Sequence, residues 1–408
     1  MSTLREFLKD VSVEWKDLKE ISNFSNGKGH EKVISEDGKY IVVNSKFVST
    51  EGNVVKFSNE QISPVYKNDI LIVMSDLPNG RALAKTYLVN EDSKYTLNQR
   101  IGRISIIDIN MVYPKYLNYM LNRSSQLLRF DNGVDQTNLK KSDIENVQIP
   151  IPHPNDLEKS LAIQQEIVRV LDGLSEQNKA LTTALAQEID QRKKQYEFYR
   201  EELFRFEGKA VEWKTLGDEN VGKFTRGSGL QKKDFTEFGI GCIHYGQVYT
   251  YYNTYTYETK SFVSVDFAKN ARKAKMGDLV IATTSENDDD VCKAVAWLGE
   301  EDIAVSSDAC FYSHKLNPKY VSYYFQTEQF QKQKRKYITG TKVRRVNVND
   351  LEKITIPNPD ITEQERIVHL LDQFDEATKN IVAQLEKEIE LRNKKYEYYR
   401  TLLLSFSN

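Results

Sequence analysis

The chain has 408 residues and a formal net charge of −2, so it is long enough for two to four domains and carries no overall field that favours nucleic acid. Its 39% hydrophobic and 11% aromatic content excludes a disordered chain. Three cysteines without a CxxC pair and five scattered histidines predict reduced thiols, a cytoplasmic location and no metal site. No apolar run approaches the ~18 residues that a membrane span needs, so we expect no membrane contact.

A forty-residue segment occurs twice. Residues 167–206 and 367–406 align at an offset of 200 without a gap, and seventeen of the forty positions are identical. Apolar residues recur in both copies at the three- and four-residue steps of a coiled-coil seam, with two successive four-residue steps near residues 181–189 and 381–389. Each copy predicts a helix of about 65 Å. The shared register predicts that the two helices are partners; the alternative is a solvated helix with one buried stripe.

Each long helix is preceded by a β-rich region with the same landmarks in the same order. After a short predicted leader at residues 1–12, Val-Glu-Trp-Lys begins the first region at residue 13 and the second at residue 211. Both regions then show a buried strand, a helix that begins at a proline, a glycine turn and a strand that ends in prolines. These features fall at residues 70–74 and 277–282, Pro114 and Pro318, Gly133 and Gly340, and 147–152 and 354–359. The candidate caps of the long helices are Asn155 and Asp156 for the first and Asp360 and Thr362 for the second.

The motifs at the junction between the last strand and the long helix indicate a family resemblance. Ile-Pro-Ile-Pro at 149–152 leads to Gln-Gln-Glu-Ile-Val at 164–168, and Ile-Pro at 356–357 leads to Glu-Arg-Ile-Val at 365–368. Both long helices end in a similar basic and tyrosine-rich tail, at 192–203 and 392–403. With these motifs in duplicate, the chain resembles the specificity subunit of type I DNA restriction-modification systems from residue 13 onward.

The resemblance implies an α/β (α+β) fold in which two pseudo-two-fold-related target-recognition domains are joined by two long antiparallel coiled-coil helices. The boundaries expected here are residues 1–155 for target-recognition domain 1, 156–207 for spacer helix 1, 208–358 for target-recognition domain 2 and 359–408 for spacer helix 2. Each domain would read one half of a bipartite site in double-stranded DNA. The helices would set the spacer and dock two methyltransferase (modification) subunits, and restriction-translocase subunits would join them. The subunit itself would be non-catalytic and need no cofactor.

The motifs of catalysis are missing from the sequence. It has no phosphate-binding P-loop, no complete glycine fingerprint and no Asn-Pro-Pro-aromatic motif for amino methylation. The acidic run at residues 285–290 is better explained as a polar loop than as a metal site. We therefore expect no catalytic residue and no metal ligand.

Candidate DNA contacts cluster around the two glycine turns. Residues 331–345 hold seven positive charges and no acid, which would neutralise phosphates. Arg344 or Arg345 could instead reach a guanine edge, and a solvated basic helix end is the other alternative. The first region has amides at the equivalent place, suited to adenine, or else simply capping the turn. The predicted contacts are Lys332, Lys334, Arg335, Lys336, Lys342, Arg344 and Arg345, then Gln136, Asn138, Lys140, Lys141, Asn98 and Arg100, and finally Arg226, Lys232 and Lys233.

The seam supplies the expected subunit-interface residues. These are Leu171, Leu185, Ile189, Tyr196, Tyr199, Leu371, Leu385, Ile389, Tyr396 and Tyr399. Arg192 and Arg392 also fall on the seam, where each is expected either to pair with a glutamate across it or to extend into solvent. The tyrosine-rich run from Tyr245 to Tyr257 is expected to form strand faces.

Three other functions stay open from the sequence. The chain could be a DNA-modifying enzyme with its own active site, or a coiled-coil adaptor without DNA binding. It could also be an orphan or silent specificity copy that donates recognition domains by recombination.

Overall fold

The computed structural model describes residues 11–30, 32–78, 80–208 and 210–406, so most of the predicted leader lies outside the described residues. The chain divides into two compact units. The first unit comprises Met1–Ala184 and Glu388–Asn408, and the second comprises Leu185–Lys387. Each unit therefore contains one β-rich region, the start of the long helix that follows it and the end of the other long helix.

The first unit is built on an antiparallel sheet whose central strand, Ile70–Val73, is completely buried. Its four strands are, in spatial order, Ser22–Asn26, Ile101–Ile106, Ile70–Val73 and Thr86–Leu88. Phe57–Ser58, Tyr40–Val43 and Tyr95–Leu97 form a second sheet, and two ribbons pair Val13–Asp17 with Gln148–Pro152 and Ser75–Asp76 with Thr137–Asn138. The short helices are Leu18–Ile21, Ser45–Ser49, Pro114–Leu121, Ser125–Leu128 and Lys141–Glu145.

The second unit has the same plan, but each of its two main sheets has five strands. One sheet has the order Gly222–Arg226, Ala309–His314, Leu279–Ala282, Ala294–Trp297, Tyr255–Thr256. The other has the order Phe235–Thr236, Ser261–Val263, Ile240–Ile243, Ile303–Val305, Lys273–Ala274. Its ribbons pair Glu212–Thr215 with Thr355–Asn358 and Thr284–Ser285 with Arg344–Arg345, and its helices are Tyr245–Thr250, Val265–Asn270, Pro318–Tyr324, Glu328–Arg335 and Val348–Leu351, with a 3-10 turn at Lys232–Asp234.

Two repeated sequence motifs meet in each unit. Trp15 pairs with Pro150 in the first unit, and Trp213 pairs with Pro357 in the second. Proline has no backbone N–H and cannot donate a hydrogen bond to a neighbouring strand. It is tolerated here because each ribbon has only two strands, so no third strand needs that donor. The proline-led helix then closes over the ribbon: the hydroxyl of Tyr116 donates to the Pro150 carbonyl oxygen at 2.9 Å. This ribbon directs the chain into the long helix.

The long helices form as predicted, at Leu157–Leu203 and Ile361–Leu404. The carboxylate of Asp156 accepts the backbone N–H of Lys159 at 3.0 Å, and that of Asp360 accepts from Glu363 at 2.9 Å. Both caps are therefore confirmed. No helix among the described residues is both long enough and apolar enough to cross a membrane.

Within each unit the two long helices pack antiparallel. In the first unit Asn178 donates to Asn393 at 3.0 Å, and Leu403 is buried in the same core as Leu171. In the second unit the ring of Tyr199 stacks on Phe374, with centroids 4.9 Å apart and planes 6° apart. The predicted pairing of the two helices is confirmed.

The structure decides two expectations about side chains. Of the two alternatives for Arg192 and Arg392, pairing across the seam is not found: each binds a glutamate one turn earlier on its own helix, Glu188 or Glu388, at 2.8 Å, and the side chains are 41% and 36% exposed. An i,i+4 pair forms within one helix without bringing two backbones together. The tyrosine run is also not mainly strand, because Tyr245–Thr250 is a helix. His244 caps that helix by accepting the Gly246 N–H at 3.2 Å.

Candidate nucleic-acid interface

In the first unit, predicted DNA-contacting residues meet just beyond the buried central strand. Asn138 pairs with Ser75 in a two-residue ribbon, and Gln136 Nε2 donates to Ser75 Oγ at 2.8 Å. The backbone N–H of Met74 donates to the carbonyl of Arg100 at 3.1 Å. Gln136, Asn138 and Arg100 are exposed, and together they form what we call the first-unit polar surface.

The second unit has a cleft at the same place. Arg345 pairs with Thr284, and the Thr283 N–H donates to the Asp308 carbonyl at 3.0 Å. The Arg344 guanidinium binds Asp288 at 2.8 Å. We call this the second-unit cleft; it has a volume of about 540 Å³ and is lined by Tyr245, Tyr249, Thr284, Ser285, Asn287, Asp290, Asp308, Val343 and Arg345, among others.

The acidic loop beside the cleft is held by its own hydrogen bonds. The Asn287 side chain donates to the Asp290 carboxylate at 2.7 Å and accepts the Asp290 backbone N–H at 2.8 Å. No group of three or more metal-ligating side chains was found among the described residues. Residues 286–290 form a turn that follows the short strand Thr284–Ser285.

The basic run at 331–345 does not form one surface. Lys334 is completely buried, and its ammonium donates to the backbone oxygens of Asp289 and Val291 at 3.0 and 2.9 Å. Burial lowers the pKa of Lys334. Its charge is used inside the protein and is not available to a phosphate, which corrects the expectation for this residue.

The other basic side chains of this run lie in three places. Lys332 is exposed near Glu201 at the end of the first long helix, where it opposes the rise in the Glu201 pKa caused by burial. Arg335 binds Glu328 at 2.7 Å. Only Lys342, Arg344 and Arg345 belong to the ribbon and turn at the second-unit cleft, while Lys336 is exposed at the end of its helix.

Several secondary candidates lie beside these two surfaces. Arg226 Nε donates to the Ser307 carbonyl at 3.1 Å, next to Asp308. The pKa of His244 is lowered by burial and then by Lys232, so Lys232 lies near His244, the residue before Tyr245 of the cleft. In the first unit Asn98 is half-buried two residues before Arg100. Lys233, Lys140 and Lys141 are exposed, and Lys141 binds Glu145 at 3.4 Å.

The predicted subunit-interface residues divide by depth. Leu171 and Leu371 are completely buried in the cores of the first and second units, so neither can contact a partner subunit, which corrects the expectation for these two residues. Burial raises the pKa of Tyr196 and of Tyr396, so both hydroxyls stay neutral. Half-buried positions along the helices are Leu185, Ile189, Leu385 and Ile389, and in the first unit Tyr396 and Tyr399 line a groove of about 340 Å³ together with Leu174 and Leu402.

Sequence reasoning missed the residues that attach each β-rich region to its helix. Asp372 accepts from the Lys319 ammonium at 2.8 Å and from the Tyr323 hydroxyl at 2.7 Å. Asp172 accepts from Lys115 and Tyr119 at 2.7 Å each. The repeated Leu-Asp pairs at 171–172 and 371–372 were the available signal, because an acid kept beside a buried leucine in both copies indicates a fixed partner.

Comparison with known proteins identifies the class of protein to which this chain belongs. The family model for the type I restriction modification DNA specificity domain matches residues 11–191 and again residues 212–391. The chain belongs to this family and carries two copies of its domain. Both matched stretches contain one β-rich region and most of the long helix that follows it.

Two curated relatives are similar over the whole chain. The specificity subunit of the type I restriction enzyme EcoR124I/EcoR124II from Escherichia coli is 29% identical over 418 aligned residues, covering 100% of this chain and 97% of the relative. A putative type I restriction enzyme specificity subunit from Haemophilus influenzae, S.HindORF215P, is 25% identical, covering 99% and 98%. A solved structure described as the structural basis of complex assembly and conformational transition of the type I R-M system has a TM-score of 0.72 at 16% identity over 96% of both chains. The predicted fold class is thereby confirmed.

Proposed function

We propose that this chain is the sequence-specific DNA-binding specificity subunit of a type I restriction-modification complex. The observation that supports this most is the duplicated backbone arrangement. The same backbone contacts place different polar side chains at equivalent positions of the two units. Such an arrangement suits two readers of base edges, each tuned to a different half-site. We infer that residues 1–155 and 208–358 are the two recognition domains and that 156–207 and 359–408 are the spacer helices.

In this proposal the exposed basic side chains near each reading surface bind phosphates. Phosphate contacts set affinity and its dependence on salt, whereas base contacts set sequence preference. The members are Lys342, Arg344, Arg226, Lys232 and Lys233 in the second unit and Lys140 and Lys141 in the first; Lys332, Arg335 and Lys336 remain candidates for contacts farther from the cleft. Arg345 lines the cleft and is proposed to contact a base edge. Gln136, Asn138, Asn98 and Arg100 are the proposed base readers of the first unit.

The two long helices are the proposed spacer and docking element. Each helix is continuous over more than forty residues, so its length is a fixed quantity that can set the number of base pairs between half-sites. Half-buried seam residues and the groove at Tyr396 and Tyr399 are the proposed contact surface for two methyltransferase subunits, with restriction-translocase subunits joining the assembly. The chain would act in the cytoplasm without catalytic activity or a cofactor of its own.

The test uses the chain co-expressed with its methyltransferase subunits in a host that lacks other DNA methylation. Sequencing that detects methylated bases should find one bipartite motif, two short half-sites separated by a spacer of constant length. The chain alone, incubated with S-adenosylmethionine and DNA, should methylate nothing. Methylation by the chain alone would favour the enzyme alternative, and an assembled complex that binds DNA without sequence preference would favour the adaptor.

A further inference from the structure

Arg100 and Asp308 occupy the same backbone position in the two units but carry opposite charges. Ile101 pairs with Val73 in the first unit, and Ala309 pairs with Ala282 in the second. The residue before each of these strands accepts the backbone N–H of the residue after the central strand, at 3.1 Å for Arg100 and 3.0 Å for Asp308. The strand pairing and the backbone hydrogen bond are the same in both units, so the units differ at this position only in the side chain.

In the part of the chain that the structure describes, neither charged group is held by a direct side-chain contact, although at longer range the Asp308 carboxylate partly offsets the lowering of the His244 pKa by burial and by Lys232. Within the described residues the Arg100 guanidinium and the Asp308 carboxylate make no side-chain hydrogen bond and no ion pair. Arg100 is exposed on the first-unit polar surface. Asp308 is half-buried and lines the second-unit cleft. A carboxylate accepts hydrogen bonds, so a donor on a ligand in the cleft could take the place of water at Asp308.

A positive and a negative side chain match different base edges. A guanidinium matches the O6 and N7 acceptors of guanine, whereas a carboxylate accepts from the N4 amino group of cytosine and is repelled by acceptor edges. We propose that Arg100 and Asp308 are specificity-determining residues: Arg100 reads guanine in one half-site, and Asp308 reads the amino edge of cytosine in the other. This inference rests on the proposed function and goes beyond it by naming the base chemistry.

The neighbouring ribbon strengthens the assignment. Arg345 pairs with Thr284 where Asn138 pairs with Ser75, so these two residues are also equivalent. Arg345 lines the cleft with Asp308. A guanidinium beside a carboxylate matches the major-groove face of a G·C pair, which presents acceptors next to an amino group. The amide of Asn138 beside Arg100 instead favours adenine next to guanine.

The experiment maps methylated motifs for the native complex and for two variants of the full chain, each with its methyltransferase subunits. Asp308→Asn keeps the size of the side chain and removes its charge. We expect it to lower discrimination by about tenfold to a hundredfold at one base position, in one half-site only. Arg100→Gln should relax one position in the other half-site. Glu300→Gln is the matched control, because Glu300 is an exposed acid of the second unit that does not line the cleft.

The outcomes separate this inference from the proposed function. If the native complex shows no bipartite motif, the proposed function fails. If it shows one, and Asp308→Asn methylates the identical motif or loses methylation equally at all sites, the base-reading role of Asp308 is overturned. That role is overturned as well if both variants relax the same half-site. Gel filtration and thermal melting of each complex confirm that the variants assemble and fold.

Discussion

Removing the Asp372 carboxylate should weaken the attachment of the second β-rich region to its helix more than the matched change does in the first unit. Asp372→Ala removes the acceptor for both the Tyr323 hydroxyl and the Lys319 ammonium. Tyr323 is completely buried, so its hydroxyl would be left without a partner, at a cost of about 1–3 kcal/mol. The Lys319 side chain is only 19% exposed and loses its ion-pair partner at the same time, although its ammonium still lies 3.7 Å from the centre of the Tyr255 ring. We expect a total loss of about 3 kcal/mol.

The equivalent variant in the first unit gives the internal control. Lys115 is 42% exposed, and Tyr119 is half-buried, so water can replace part of what Asp172→Ala removes. We expect a loss of about 1–2 kcal/mol there. Both acids lie at the same position of their long helices, so the two variants can be compared directly.

Hydrogen-exchange mass spectrometry is the suitable assay because it reports each unit separately. Asp372→Ala should raise exchange in Pro318–Tyr324 while leaving Pro114–Leu121 unchanged. Adding Tyr323→Phe should recover part of the loss, because the unpaired hydroxyl is then absent. Equal effects of Asp372→Ala and Asp172→Ala, or no recovery in the double variant, would refute the reasoning from burial.

A buried lysine, a buried histidine, the basic turn and the long helices can each be tested directly. Lys334→Met should leave two backbone oxygens without a donor and raise hydrogen exchange in residues 286–291, with a stability loss of about 1–3 kcal/mol; unchanged exchange would contradict the role of this ammonium. Burial lowers the pKa of His314 from 6.5 to about 4, so the unfolded chain binds the proton first and stability should fall as pH drops from 6.5 to 4; His314→Gln should flatten that part of the pH profile of urea unfolding. Replacing Lys342 and Arg344 with alanine should reduce the slope of log affinity against log salt by up to about 2 for the assembled complex, and an unchanged slope would exclude these residues as phosphate contacts. Deleting four residues from each long helix, within 181–189 and 381–389, shortens it by about 6 Å and should shorten the DNA spacer by about two base pairs; methylated sites with the original spacer would reject the spacer role.

Matched variants keep these tests specific. Lys336→Met changes an exposed lysine two residues beyond Lys334 and should leave exchange in residues 286–291 unchanged. Deleting four residues from one long helix only would shift the two seams against each other, so loss of assembly is expected there rather than a shorter spacer. For the salt series, alanine at Lys269, an exposed lysine bound to Asp266, should preserve the native slope.

The amino-acid sequence by itself determined the duplicated plan of this protein. Helix period, proline and glycine positions and the two copies of each motif are local features, and they predicted both long helices, their caps, the central strands and the proline-led helices. Local patterns suffice there because each of these elements is specified by its own residues and their spacing.

Only the tertiary structure decided which charged side chains face outward and which positions of the two units correspond. Lys334 belongs to a basic run that looked uniformly exposed, yet the helix Glu328–Arg335 packs on the core and turns this lysine toward the carbonyls of Asp289 and Val291. Arg100 and Asp308 share a position through strand register, which is set by hydrogen bonds between segments far apart in the chain. Burial and register arise from contacts between distant segments, so no window of the sequence contains them.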